Sequence, residues 1–147
     1  MSYLDEMFGL SGKTVAITGG GGVIASALSE GFLRAGANLS LWDIKQEFAD
    51  ATVARLTEST RAANRMQALA VDTTFEESVA RAVAETEKRF GSLDILVNAA
   101  GGNRGKCDFL DIDVKQFEDI LRLNLIAGLV VPTKVVAKVW IEKKVKG

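Results

Sequence analysis

Residues 14–43 read TVAITGGGGVIASALSEGFLRAGANLSLWD, and the fold of the chain turns on this stretch. Val15, Ala16 and Ile17 form a continuous apolar run, as in a strand covered on both faces. Gly19, Gly20, Gly21 and Gly22 follow without interruption. Ile24, Leu28, Phe32 and Leu33 then recur at helical spacing, and Gly36 stands where a helix C-terminal glycine belongs. Leu39 and Leu41 lead a second strand that ends at Trp42-Asp43. The unit is strand, glycine loop, helix, strand.

The chemistry of such a turn is phosphate binding. Glycines let backbone N–H groups approach a pyrophosphate, and the following helix points its partly positive N-terminus at the anion. Gly20-x-Gly22-x-x-Ala25 fits the spacing of a dinucleotide loop, and Asp43 lies 18 residues after Ala25, at the end of the second strand. An acid there accepts hydrogen bonds from the ribose hydroxyls of NAD and repels the 2′-phosphate of NADP, so NAD is the expected cofactor. The plainer reading is a glycine turn that only packs a helix on a sheet, a task for which four successive glycines carry a large entropy cost.

The 147 residues suffice for one domain with a real core, expected to span 1–147. A formal net charge of −1 points away from nucleic acid and anionic membranes as partners. One cysteine, Cys107, and no histidine exclude an internal disulfide, Ser-His-Asp triads and histidine-based metal sites; no metal is expected. The start, MSYLDEMFGL, carries acids and no basic leader, which makes the cytoplasm the default expectation. The apolar-rich run Leu123–Ile141 is interrupted by Asn124, Lys134 and Lys138, so it reads as an amphipathic helix and not a membrane span.

Along the rest of the chain, Phe8 and Leu10 are expected to pack, and Ser11-Gly12-Lys13 to turn into the first strand. Residues 46–63 read as a helix with a thin stripe of Phe48, Val53 or Thr52, and Leu56. Residues 66–71 form a third short apolar run ending at Asp72. Residues 75–90 read as a helix facing inward through Phe75, Val79, Val83 and Phe90, with ion pairs Glu77–Arg81 and Glu85–Arg89, closed by Gly91. Leu93–Val97 is a fourth strand, running into Asn98-Ala99-Ala100-Gly101. After a polar loop over 102–112, residues 113–144 read as helix, broken near Gly128 and Pro132, with a basic end in IEKKVKG. Strands alternating with helices predict an α/β, doubly wound parallel sheet in the order 3-2-1-4, with a crevice at the ends of strands 1 and 4. The four strand ends are Thr18-Gly19, Asp43, Asp72 and Asn98, all polar or glycine. Taken singly, Asp43 and Asp72 are also ordinary turn residues. Trp42 reads as sheet packing.

The run Thr18-Gly-Gly-Gly-Gly-Val-Ile-Ala resembles the TGxxxGxG loop of the short-chain dehydrogenase/reductase family. Asp72 in VDTT resembles that family's adenine-contacting aspartate, and Asn98-Ala99-Ala100-Gly101 its NNAG motif. Asn124 in RLNLIAG resembles the asparagine of its catalytic tetrad. The resemblance spans the chain and looks most like the mannonate and fructuronate oxidoreductase branch. It implies a Rossmann-type fold and a small-molecule substrate. It also implies a homo-oligomer through helix 113–144. The cofactor-binding residues it implies are Gly19, Gly21, Gly22, Val23, Ile24, Asp43, Ile44, Asp72, Thr73, Asn98, Ala99, Ala100 and Gly101, with Asn124 as the catalytic candidate.

Two departures stand out. Val23 and Ala25 replace the second and third loop glycines of the family, and Val23 is the bulkier change. The family's fifth-strand serine and Tyr-x-x-x-Lys have no counterpart, since the sole tyrosine is Tyr3. In the family the tyrosine is the general acid/base and the lysine lowers its pKa. The sequence therefore reads as the cofactor-binding half of such an oxidoreductase, stopping before strand 5, with a gene product that continues beyond Gly147 as the favoured explanation. A chain complete at this length is expected to be marginal, or to self-associate through strand 4 and helix 113–144. The alternatives are a non-catalytic NAD-binding module and a Rossmann-like methyltransferase; the TGGGG and NAAG motifs argue against the latter.

Overall fold

The computed structural model describes residues 3–103 and 105–145; the end of the expected basic tail, Lys146 and Gly147, lies outside the described residues. A short helix, α1 (Tyr3–Phe8), precedes the turn at Gly12, whose φ is +80°, and β1 (Thr14–Thr18). There follow α2 (Val23–Arg34), β2 (Asn38–Asp43), α3 (Gln46–Thr60), β3 (Met66–Ala70), α4 (Glu76–Phe90) and β4 (Ile95–Val97). A continuous helical run comes last: α5 (Val114–Leu121), a π-helical stretch (Arg122–Val130) and α6 (Val131–Lys143). The strands form a parallel sheet in the order β3-β2-β1-β4, with Val15 beside both Leu39 and Ile95. This is the Rossmann-type order expected.

Side chains alternate across a strand, and both faces here are covered. Val15, Ile17, Leu39 and Leu41 pack with Ala25 and Leu33 of α2 and Ala49 and Leu56 of α3. On the other face Ala16 and Trp42 pack with Val79 and Val83 of α4 and Val135 and Val136 of α6. Two-sided burial is why β1 reads as an unbroken apolar run.

Polar groups in this second layer are ordered by donor counting. Thr86 Oγ1 donates to the Ala82 carbonyl at 2.7 Å, so the 2.8 Å contact between Ser40 and Thr86 must run from the Ser40 hydroxyl. Ser40 Oγ is then free to accept from the Trp42 indole N–H at 2.8 Å and from Gln67 Nε2 at 2.9 Å. Ser40 thereby satisfies a fully buried tryptophan, in keeping with the packing role expected of Trp42. At the opposite end of the sheet, Asp94 accepts from the Thr14 N–H at 2.9 Å, the Ser92 hydroxyl at 2.7 Å and Lys13 Nζ at 3.3 Å. Burial pushes its carboxyl up, but the Thr14, Ser92 and Lys13 donors together outweigh burial and hold it below the usual aspartate value.

Several expectations change at the level of side chains. The buried face of α2 consists of Ala25, Ser26, Ser29 and Leu33, while Ile24 and Leu28 are exposed. Small residues let the helix sit close on the sheet. Phe8 and Phe75 are exposed too, whereas Leu10 packs on the core as expected. Phe75 is the residue before α4, and that helix buries Val79, Ala82, Val83 and Thr86. Its acids pair differently: Glu85 with Lys88 within the helix, and Glu76 and Glu87 with Lys134 and Lys143 of α6. The expected pairs Glu77–Arg81 and Glu85–Arg89 do not form. Gly36 and Gly91 follow α2 and α4 at φ +98° and +88°, the left-handed positions read from the sequence. The break expected near Gly128 is the π-helical stretch. The run Val114–Lys143 is long and apolar enough to cross a membrane by length and composition. Its α6 part, however, packs on the sheet through Val135 and Val136, and Trp140 Nε1 donates to the Leu93 carbonyl at 2.6 Å.

Candidate functional site

The C-terminal ends of the strands open into one crevice. It brings together Gly19, Asp43, Ile44, Asp72, Thr73, Ala100 and Gly101 from the expected set, and adds Val71, Thr74, Leu123 and Ala127. Asn98 and Ala99 are not among its walls. Gly21, Gly22 and Val23 line a neighbouring groove between α2 and α3, with Phe48 and Arg55. Arg55 bridges the two helices there, donating to the hydroxyl of Ser26 and, at 3.3 Å, to its carbonyl.

The glycine loop is shaped by the chain's own packing as well as by its opening. Gly19 has φ +65°, and a Cβ on it would stand 2.8 Å from Ala100 Cα. Gly20 donates to the Trp42 carbonyl at 2.9 Å, and its Cβ would stand 2.9 Å from Leu41 Cβ. Gly21 donates to Asp43 Oδ2 at 2.9 Å, and its Cβ would stand 2.4 Å from Phe48 Cβ. Three glycines are thus needed where the loop lies against the ends of β4 and β2 and the first turn of α3. The fourth, Gly22, caps α2 without a side-chain hydrogen bond. First-turn N–H groups have no intrahelical partner, so α2 presents them from Val23 onward. Val23 and Ile24 are 89% and 74% exposed, and the bulk of Val23 is accommodated by pointing out of the loop.

Asp43 is almost buried, with 8% exposure. Oδ2 accepts from Gly21 and Oδ1 from the Lys45 N–H at 3.1 Å, which leaves each oxygen a lone pair for a further donor. Asp72 closes its own turn: Oδ1 accepts from the Thr74 N–H at 2.9 Å and from the Thr74 hydroxyl at 2.6 Å. Its Oδ2 takes no bond among the described residues. The free N–H groups of an uncapped helix start, beside a close-packed glycine turn, and the acceptor oxygens of a seated acid form a polar set that fits a dinucleotide.

The strip after β4 is held from two sides. Thr18 Oγ1 accepts from the N–H groups of Ala99 and Ala100, both at 3.0 Å. Asn124, in the π-helical stretch, accepts from the Gly102 N–H at 2.7 Å and donates to the Gly102 carbonyl at 2.9 Å. A Cβ on Gly101 would stand 2.6 Å from Asn124 Oδ1, and one on Gly128 2.6 Å from the Ala100 carbonyl oxygen. Asn98 donates to Thr133 Oγ1 at 2.9 Å, and its Oδ1 is buried with no partner among the described residues. Thr18 and Gly128 are supports that the sequence reading missed. Thr18 stood inside the quoted motif, and Gly128 read only as a helix break.

The short chain dehydrogenase family matches the sequence over residues 13–147. A short chain dehydrogenase/reductase of Colletotrichum higginsianum, dpchG, is 36% identical over 121 residues, covering 82% of this chain and 44% of that protein. A protein of Haemophilus influenza assigned as a D-mannonate oxidoreductase, crystallised with bound NAD, is 29% identical with a TM-score of 0.77, covering 92% of this chain and 52% of that one. A short-chain type dehydrogenase/reductase of Mycobacterium marinum has the same fold, with a TM-score of 0.86 over the whole of this chain and 57% of its own, at 22% identity. The chain spans about half the length of the curated relatives it matches.

Proposed function

The chain belongs to the short-chain dehydrogenase/reductase family, and on that premise we propose that it supplies, over 1–147, the cofactor-binding half of an NAD-dependent oxidoreductase. The reaction moves a hydride to or from a carbon bearing a hydroxyl or carbonyl, and the likeness to the D-mannonate protein favours a sugar acid as substrate. The bound nicotinamide nucleotide supplies the hydride acceptor or donor. The chain's own residues bind and orient it. The open start of α2 takes the pyrophosphate, Asp43 accepts from the ribose hydroxyls, and Asp72 and Thr73 line the adenine side with Ile44. Asn124 acts through Gly102: its amide holds the backbone strip that carries Ala100 and Gly101 along the crevice.

The observation that carries this reading is the carboxylate of Asp43, seated by Gly21 at the mouth of the crevice. Calorimetric titration with NAD and NADP tests it. NAD is expected to bind tighter by about tenfold or more, the scale of one unfavourable charge contact. Asp43→Ala should relax that preference and Asp43→Arg should invert it. An unchanged preference would remove Asp43 from the site.

A second reading, an NAD-binding module without turnover, is favoured by Asn124, whose amide oxygen and nitrogen are both engaged by the Gly102 backbone. Reduced-nicotinamide fluorescence on mixing with NAD and a panel of sugar acids separates the two readings. Leu121, Leu125 and Leu129 are exposed along the last helical run, which supports self-association there. Sedimentation of Leu125→Glu as a smaller species than the parent would bear this out.

A further inference from the structure

We infer that Phe48 is a positioning residue for nucleotide selectivity: it seats the glycine loop against Asp43 and holds the Lys45 ammonium on its ring, away from the 2′-position of the ribose. The inference rests on the reading of Asp43 as the ribose acid.

Lys45 stands two residues beyond that acid, and its N–H donates to Asp43 Oδ1. A cation at this point in the chain is the kind of group that would neutralise a 2′-phosphate. Its side chain is engaged elsewhere. Lys45 Nζ lies 4.9 Å from the centroid of the Phe48 ring, and it has no carboxylate partner among the described residues. The two residues are three apart, with the Phe48 N–H donating to the Lys45 carbonyl at 3.1 Å, so the first turn of α3 places ammonium and ring on one side.

Phe48 is 49% exposed, more than its chemistry alone would favour. Its inner atoms explain the position. A Cβ on Gly21 would stand 2.4 Å from Phe48 Cβ and 2.9 Å from its carbonyl carbon, and Gly21 donates to Asp43 Oδ2. The Cβ and backbone of Phe48 therefore set the loop, while the outer ring is free to hold the lysine. Seating and masking sit on different atoms of one residue and can be separated by substitution.

Phe48→Leu keeps the Cβ and apolar bulk and removes the ring. Titrated with NAD and NADP, this variant of the full chain should shift the affinity ratio toward NADP by about two- to fivefold, the scale of one exposed cation–π contact. The readout is the ratio of the two affinities and not the NAD affinity alone. Phe48→Tyr keeps the ring and should keep the parent ratio. Adding Lys45→Gln to Phe48→Leu should return the ratio to that of the parent. Equal loss of both affinities in Phe48→Leu would leave Phe48 a merely structural role and overturn the inference. So would a shift that survives Lys45→Gln. A parent chain that binds neither nucleotide would remove the Asp43 reading itself. A parent that binds NAD, with an unmoved ratio in Phe48→Leu, would sink the masking role alone.

Discussion

β2 and the stretch from β4 through the π-helical turns are both apolar, yet they live differently. Leu39, Leu41 and Trp42 are completely buried. Ile95, Leu96 and Val97 are each only half-buried, α5 buries no residue, and the π-helical stretch buries only Ala127 and Gly128. Leu121, Leu125 and Leu129 are 45–47% exposed although their spacing is that of an inward stripe. Hydrophobicity does not separate the two regions. Neighbours do: β2 lies between β1 and β3 with helices on both faces, whereas β4 pairs with β1 alone among the described strands. Burial on the first side is completed by local β-α-β units. On the second it depends on what lies against the last helical run.

The sharpest way to break this comparison is a matched pair of truncations. Leu41→Ala should cost about 2–5 kcal/mol of unfolding free energy, as lost burial plus a cavity. Leu125→Ala, measured by urea unfolding at a concentration where the chain is monomeric, should cost no more than about 0.5 kcal/mol. Similar costs would mean that the exposed leucines are covered in solution and that the contrast fails. Next in size is Ser40→Ala. It leaves the Trp42 indole N–H and the Gln67 amide without their shared acceptor, and should cost about 1–3 kcal/mol by the same measurement. A neutral result would mean that water replaces the hydroxyl in a layer the structure shows as closed.

The same contrast explains what could be read in advance. Strand order and the capping glycines were legible because they depend on local runs such as Val15-Ala16-Ile17 and on backbone conformations that glycine favours. The buried face of α2 was not. Ile24 and Leu28 carry the apolar period, but close approach to the sheet selects Ala25, Ser26 and Ser29, and Ser29 returns its hydroxyl to the Ala25 carbonyl at 2.7 Å. At the candidate site, the four glycines were legible as a tight turn between strand and helix. Their second cause was not, because it lies in residues distant in sequence: Ala100 against Gly19, Leu41 against Gly20, Phe48 against Gly21. Asn124 was singled out by resemblance alone, and its partner Gly102 emerges only when the π-helical stretch brings the two together.

A smaller effect tests the tie between β1 and β4 at the end of the sheet away from the crevice. Asp94 is held below the usual aspartate value, so its carboxylate adds stability above the unfolded pKa of about 3.9. That contribution is lost as pH falls through the lower folded value. Asp94→Asn should cost about 1–2 kcal/mol near neutrality, a hydrogen-bonded charge discounted for its partly exposed lysine partner. It should also remove part of the acid dependence below about pH 4. An unfolding profile with the parent's slope in that range would mean that Asp94 is not the anchor.

The smallest expected effect decides how the two regions are joined. α6 docks on α4 through Val135, Val136 and Val79, and through the Trp140 bond to Leu93. Two ion pairs span the same joint, Lys134 to Glu76 at 2.5 Å and Lys143 to Glu87 at 2.6 Å. Both lysine side chains are more than half exposed, so water and salt screen them and each pair is worth less than about 1 kcal/mol. Lys134→Ala with Lys143→Ala should therefore lower stability slightly at low salt and not at all in high salt. Val136→Ala, which opens a cavity between the same helices, should cost more at every salt concentration. If the double lysine variant instead matched Val136→Ala and kept its cost in high salt, charge would be the clasp of the second region. Its exposed leucines would then be incidental to how it is held.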